Sequence, residues 1–590
     1  MPNKLFICLK EHSGAFLVSF VLTLLVSAPL IVFPTVAGDL YKGINIPQFG
    51  TLDEHFYLSR AKEVVEGGSL ASPLIRGETY GQDTFFNYSE KFFLAPIKLL
   101  GLADKINIVT IYNFYNFVGV FILSLLIYFF MWQLSRDKLL SIISTAFVIG
   151  GYNIAYGNFF YKDLNFYGRA MYPYISSLGF FVYLNFLVKS SNSPSVKYNI
   201  YSGIVFGLLF YISFYVWTFT LALNAILLLL YLFKKDHSSF RRIMIISIVG
   251  VIGGAYNLYN LFLFHSSDIG RQASYFFSVV YSRQPIFSKM GFVVAILFIA
   301  FFLLRRKDKN LFMISALILS GWLSLNQQIV TGRIIQYGHY YWYFIVPVGI
   351  LMGLYMVWFL INNRKHRNLF FIFLILVIFS HMAIGQYRSF FNTLEAKIYE
   401  QSYWPIIEVL NKDSGPGVIL GPENRLGLLF TIYTDHDLYW NSSVIWSVVE
   451  VQHLKDALYV YAYLNKEARN NFSGFINEIM ADNESSISPK AIYKNIEGME
   501  SGLNQSDYLK NKINDKAFII PLRKKILDSL SLEYRRINNS KQMNAMLKKY
   551  GVNYIVWDKN IYPEWDLSGL DDLREIARSN NIYLYSLSSQ

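Results

Sequence analysis

Seven long stretches without a single charged residue constrain this 590-residue chain more than any other feature: 13 to 38, 106 to 135, 139 to 161, 198 to 233, 243 to 264, 310 to 332 and 334 to 363. A helix rises about 1.5 Å per residue and a hydrocarbon core is about 30 Å thick, so about 20 apolar residues suffice for one crossing. Runs of this length, in a chain that is 54% hydrophobic and 18% aromatic, are incompatible with an ordinary soluble domain. The fold class expected is an α-helical polytopic membrane protein.

The net charge of +13 invites a nucleic-acid reading until its distribution is examined. Residues 1 to 386 hold 30 Lys and Arg against 15 Asp and Glu, whereas residues 387 to 590 hold 23 against 25. The basic excess belongs to the membrane half, where short basic loops orient helices, and no nucleic-acid partner is needed to explain it. With a cytoplasmic N-terminus, eleven spans are expected near 13 to 38, 107 to 133, 139 to 157, 171 to 188, a hairpin of two within 200 to 233, 243 to 264, 286 to 304, 311 to 330, 341 to 361 and 369 to 386. Every short Lys- and Arg-rich loop then falls on the cytoplasmic side. Acids provide a second check: only Glu11, Asp137, Asp236 and Asp308 fall inside, while Asp39, Asp53, Glu54, Asp83, Asp163 and Asp268 fall outside. A site built from carboxylates and basic groups is therefore expected on the extracytoplasmic face.

Two regions follow from this topology: a membrane domain over 1 to 386, with a long outer loop over 38 to 105, and an extracytoplasmic α/β domain over 387 to 590. The single cysteine, Cys8, excludes a disulfide framework within the chain. The first apolar run is longer than a signal-peptide core and reads as an uncleaved anchor, although Thr35-Val36-Ala37 has the small residues of a cleavage site. In the second region Val418 to Leu420, Tyr554 to Trp557 and Ile582 to Tyr585 read as strands. Helices are expected near 448 to 469 and 540 to 550, the latter capped by Gly551.

Just past the first span, Thr51-Leu52-Asp53-Glu54 opens a helical pattern with Tyr57, Leu58, Ala61, Val64 and Val65 on its apolar positions and a stop at Gly67-Gly68. It reads as an amphipathic helix on the membrane surface. Structurally, Thr51 and Glu54 make a capping box and Asp53 complements the helix dipole. Functionally, adjacent outer carboxylates are candidate acid and base groups.

Further candidates lie in two other outer segments. The first, Asp163 to Arg169, ends before Pro173. The second contains Asn326, Gln327, Gln328, Arg333, Gln336 and His339, followed by Tyr340-Tyr341-Trp342-Tyr343. Aromatics at this position suit an interfacial belt and arginines suit interfacial anchoring. The same arginines have the planar donor geometry that binds phosphate, and amides near a span end need polar partners. Arg271 and Arg283 are weaker candidates. There is no His- or Cys-based metal pattern, and a carboxylate-held divalent cation remains compatible with the residues present.

The order of features resembles the GT-C superfamily of membrane glycosyltransferases: one helix, an outer acidic pair opening a juxtamembrane helix, many further helices and an outer C-terminal domain. At the residue level the resemblance rests on Asp53 and Glu54. No Trp-Trp-Asp motif accompanies it and the first outer loop has no clear Asp-x-Asp element, so the chain looks more like the broad bacterial set of such proteins. The resemblance implies a transferase moving a sugar from a polyprenyl-phosphate-linked donor to a glycan, lipid or protein acceptor. Asp53 and Glu54 are then catalytic, with Asp53 as the base. Asp163, Arg169, Asn326, Gln327, Arg333, Gln336 and His339 bind substrate, and Arg169 and Arg333 face the donor phosphate across one cavity. The competing reading is a non-catalytic protein such as a lipid-linked glycan transporter or an envelope assembly factor. Such a transporter should carry polar groups deep within its spans.

Overall fold

The computed structural model describes residues 10–47, 53–68, 70, 88–103, 105–156, 164–169, 171–193, 195–267, 270, 279–412, 415–443, 449–481, 488–503, 507 and 515–587. Thr51, Asp83, Asp163, Asp268 and Arg271 lie outside the described residues.

The chain is a multi-pass helical membrane protein with a C-terminal sheet domain. A helix occurs at each position where a span is expected, among them Ser13–Ala37, Ile108–Ser135, Tyr174–Asn192 and Leu311–Leu325. Among the described residues, seven helices are long and apolar enough to cross a membrane, and Lys138–Gly150 and Lys289–Leu304 are shorter apolar helices. The 198 to 233 run breaks as expected into Val196–Leu209 and Phe214–Phe233.

In lipid, helices associate through close packing and polar contacts because there is no aqueous hydrophobic drive between them. Both means are used here. A Cβ on Gly207 would stand 3.1 Å from the Gly253 Cα, so these two helices touch backbone to backbone. Nearby, the Asn257 side-chain amide donates to the Phe210 carbonyl, which the end of the Val196–Leu209 helix leaves available. Elsewhere in the bundle, Gln133 donates to Asn185 at 2.6 Å.

The expected domain boundary at 386 falls inside one continuous helix, Arg364–Gln401, which leaves the bundle and enters the C-terminal domain. At its far end Tyr399 donates to Asp558 Oδ2 at 2.5 Å, and Tyr403 donates to the same oxygen. Gln401 accepts from the Lys42 and Ile44 amides at 3.0 and 3.2 Å and donates to the Ile44 carbonyl at 2.8 Å. The segment after the first span is thereby tied to the C-terminal domain.

The C-terminal sheet contains β3 (Val418–Leu420), β4 (Asp437–Leu438), β5 (Val552–Asp558), β6 (Leu573–Ser579) and β7 (Ile582–Leu587) in the order β4-β3-β5-β7-β6. The first three run parallel, and β7 is antiparallel to both β5 and β6. The three strands expected from the sequence are β3, β5 and β7, and Gly551 takes the left-handed conformation (φ 68°) that precedes β5. A separate pair, β1 (Val279–Tyr281) and β2 (Arg333–Ile335), forms an antiparallel ribbon beside the bundle.

The Asp53–Glu66 helix differs most from expectation. It is not an amphipathic helix resting on a membrane surface. Glu54, His55, Phe56, Leu58, Ser59, Arg60, Ala61 and Val64 are all buried, because the bundle covers one side and the Asn424–Tyr433 helix of the C-terminal domain covers another. Its polar residues are consequently paired: Arg60 Nε lies 2.7 Å from Glu90 Oε1 with both side chains almost wholly enclosed.

Candidate functional site

Arg169 joins the two acidic residues. Its Nε donates to Glu54 Oε1 at 2.6 Å and its Nη2 donates to Asp53 Oδ2 at 2.5 Å. Side-chain exposure is 7% for Arg169, 1% for Glu54 and 31% for Asp53. Glu54 is thus a buried counter-ion, and Asp53 is the member of the trio that reaches the solvent side. Burial alone would lower the affinity of the guanidinium for its proton. Glu54 and Asp53 outweigh that cost and hold Arg169 above its ordinary value.

The loop that presents Arg169 is held by side-chain amides from two helices and by one of its own. Asn116 donates to the Tyr167 and Arg169 carbonyls at 2.9 and 2.7 Å. Asn165 donates to the Ile149 carbonyl at 2.8 Å, and its backbone amide donates to Gln386 at 2.8 Å. Gln386 in turn donates to the Leu25 and Val26 carbonyls at 2.9 and 3.0 Å. Irregular backbone at the end of a bundle is stable when such groups satisfy it. Phe166 stacks on Tyr152 at 4.6 Å and completes the packing.

Aromatic residues line the other side of the trio. Tyr57, one turn after Asp53, packs edge-on against Tyr172 at 5.1 Å. Burial raises the Tyr57 hydroxyl well above its usual value, and the nearby Asp53 charge adds to this. Tyr343 lies within electrostatic reach of Arg169, Asp53 and Glu54, and His339 within reach of Asp53 and Arg169. His339 stacks on Tyr215 at 4.5 Å and meets Tyr343 edge-on at 5.2 Å. Tyr215 donates to Gln336 Oε1 at 3.1 Å. Tyr343 is buried and so is not part of a lipid-facing belt. It sits in a π-helical turn, Tyr341–Ile345, a local widening that occurs frequently at functional sites.

The remaining candidates divide. Gln336 and His339 join the trio through Tyr215 and Tyr343. Asn326 and Gln327 are engaged with backbone: Asn326 accepts from the Ile286 amide at 2.7 Å and donates to the Ile286 carbonyl at 3.1 Å, while Gln327 donates to the Arg333 carbonyl at 2.7 Å. Arg333, on β2, lies over the Tyr281 ring at 5.8 Å and within electrostatic reach of His265. These contacts differ from those of Arg169, which is turned toward its two carboxylates. Arg283 donates to the Ile329 and Val330 carbonyls. Asp163 lies outside the described residues, as noted. Among the described residues, no three His, Cys, Asp or Glu side chains gather as metal ligands.

Sequence reasoning missed Tyr57, Tyr172, Tyr215 and Tyr343 as site residues. In a chain with 44 tyrosines their types carry no signal. Only the position of Tyr57, four residues after Asp53 on a helix, pointed to it.

No protein-family model matches the chain, and no curated protein matches it. Among solved structures it is similar to the archaeal oligosaccharyltransferase AglB from Archaeoglobus fulgidus in complex with an inhibitory peptide and a dolichol-phosphate, at 10% identity and TM-score 0.40, covering 93% of this chain and 70% of that one. It is also similar to the apo form of the Archaeoglobus fulgidus oligosaccharyltransferase, at 11% identity and TM-score 0.45, covering 93% and 69%. A third similar structure is ArnT from Cupriavidus metallidurans bound to undecaprenyl phosphate, at 12% identity and TM-score 0.45, covering 96% and 98%.

Proposed function

We propose that this chain is a glycosyltransferase that moves a sugar from a polyprenyl-phosphate-linked donor to an acceptor at the extracytoplasmic membrane face. The observation that carries this reading is the Arg169 clamp, which holds one buried and one accessible carboxylate beside a group of aromatic side chains. Asp53 takes the proton of the acceptor hydroxyl. The acceptor oxygen bonds to the anomeric carbon as the bond from that carbon to the phosphate oxygen breaks. The polyprenyl phosphate departs with an added negative charge.

Arg169 has a different part from the one the sequence suggested. Shared between two carboxylates, it fixes their orientation, and Glu54 neutralises it where water is excluded. Phosphate binding is assigned to Arg333, Gln336 and His339, with Asn326 and Gln327 bracing the segment that carries Arg333. The stacked Tyr215 and His339 rings offer a face for the sugar. The C-terminal domain is assigned to acceptor selection.

The test is donor consumption by the purified chain in nanodiscs. A panel of undecaprenyl-phosphate-linked hexoses and pentoses is supplied with an envelope extract as acceptor source. Time-dependent release of undecaprenyl phosphate from one donor is expected. Movement of an intact donor across the bilayer, without cleavage of any panel member, contradicts the reading.

A further inference from the structure

The stripe formed by His55, Ser59 and Lys62 is engaged by the C-terminal side of the molecule. These residues stand at i, i+4 and i+7 and so share a face. His55 Nε2 is 3.6 Å from Glu400 Oε1, Ser59 Oγ is 2.7 Å from Thr431 Oγ1, and Lys62 Nζ is 2.7 Å from Asp435 Oδ1. Glu400, 1% exposed, ends the helix that links the two domains and also lies 3.2 Å from Arg425 Nε. One turn earlier, Lys397 lies over the Phe33 ring of the first span at 4.5 Å. Three contacts along about two helical turns fix both the rotation and the axial position of the Asp53–Glu66 helix. A one-residue slip would rotate it by about 100° and carry Asp53 and Glu54 away from Arg169.

We propose that Glu400, Thr431 and Asp435 are positioning residues: through His55, Ser59 and Lys62 the C-terminal domain clamps the helix that bears Asp53 and Glu54 and sets the reach of Asp53. The effect on turnover rests on the transferase reading, whereas the clamp itself does not. The clamp gives the C-terminal domain influence over the reaction without supplying a reacting group. A displacement of about 1 Å in a reacting group can cost about 10²-fold in rate. A ligand of the C-terminal domain that shifts the Asn424–Tyr433 helix would therefore alter turnover at Asp53.

The experiment measures amide hydrogen exchange over residues 53 to 66 in the full-length chain in nanodiscs, with donor binding and turnover measured in parallel. Lys62→Asp and Asp435→Lys each raise exchange in this helix, by about threefold for an exposed pair, and the double charge swap restores it. Glu400→Gln raises it further. Each single variant lowers kcat while leaving donor Kd within about twofold, and the swap recovers kcat. Unchanged exchange over 53 to 66 in the single variants, or a swap that restores nothing, overturns the clamp. The exchange measurement needs no substrate, so its outcome is independent of whether any donor is turned over.

Discussion

Arg169 Nε donates to Glu54 Oε1 at 2.6 Å across 115 residues of sequence, and both side chains are enclosed. This pair makes Glu54 a buried counter-ion, where the sequence offered it as a catalytic or a capping residue. Removing one partner of a buried ion pair leaves the other charged and unpaired, at a cost of about 3–5 kcal/mol. Glu54→Ala and Arg169→Ala should each lower stability by that order, read as the thermal unfolding midpoint of the purified chain. Arg169→Lys should recover part of the stability but not the orientation of Asp53, since a single ammonium cannot reproduce separate Nε and Nη2 bonds. Unfolding midpoints equal to that of the unaltered chain would contradict the assignment.

Orientation in the membrane is tested with the single cysteine removed by Cys8→Ser. Ser238→Cys and Asp507→Cys then place reporters in an expected cytoplasmic loop and in the C-terminal domain. A membrane-impermeant thiol reagent applied to intact cells should label position 507 and spare position 238. The reverse pattern would put Asp53 and Arg169 on the cytoplasmic side.

The C-terminal domain contains a buried acid with a pH signature. Burial pushes the Glu423 carboxyl up to about 8, although the Ser442 amide donates to it at 3.3 Å. In the unfolded chain it titrates at about 4.3. The folded state therefore binds the extra proton between these values, and stability falls as pH rises from about 4.3 through about 8. Between pH 6 and 9 the unfolding midpoint of this domain in the full chain should drop by at least about 2–4 °C, equivalent to about 1 kcal/mol. Glu423→Gln should flatten that slope. An unchanged slope in the variant would place its origin elsewhere.

The spans were legible because transmembrane helices are written as uninterrupted apolar runs, and even the break near Phe210 followed from loop-charge parity. Strands β3, β5 and β7 were legible as short apolar segments, whereas β6, Leu573–Ser579, was hidden by Arg574, Glu575 and Arg578 on a largely exposed strand. The acidic pair and Arg169 were each singled out from their places in outer segments. Their pairing was not, because contact 115 residues apart is set by how the Asn116, Asn165 and Gln386 amides hold the Arg169 loop. The spacing of His55, Ser59 and Lys62 was visible in the sequence. A surface helix explains such a polar stripe equally well, and only the position of Thr431 and Asp435 shows that it is covered.

The central claim is that Asp53 removes the acceptor proton. Asp53→Asn keeps side-chain size and an acceptor for the Arg169 Nη2 donor, and the buried Arg169–Glu54 pair remains in place. With the donor identified from the undecaprenyl-phosphate panel, turnover and donor binding are measured for this variant in nanodiscs beside the unaltered chain. The account predicts a fall in kcat of about 10²- to 10⁴-fold, with donor Kd and the unfolding midpoint nearly unchanged. Full turnover in Asp53→Asn would contradict it.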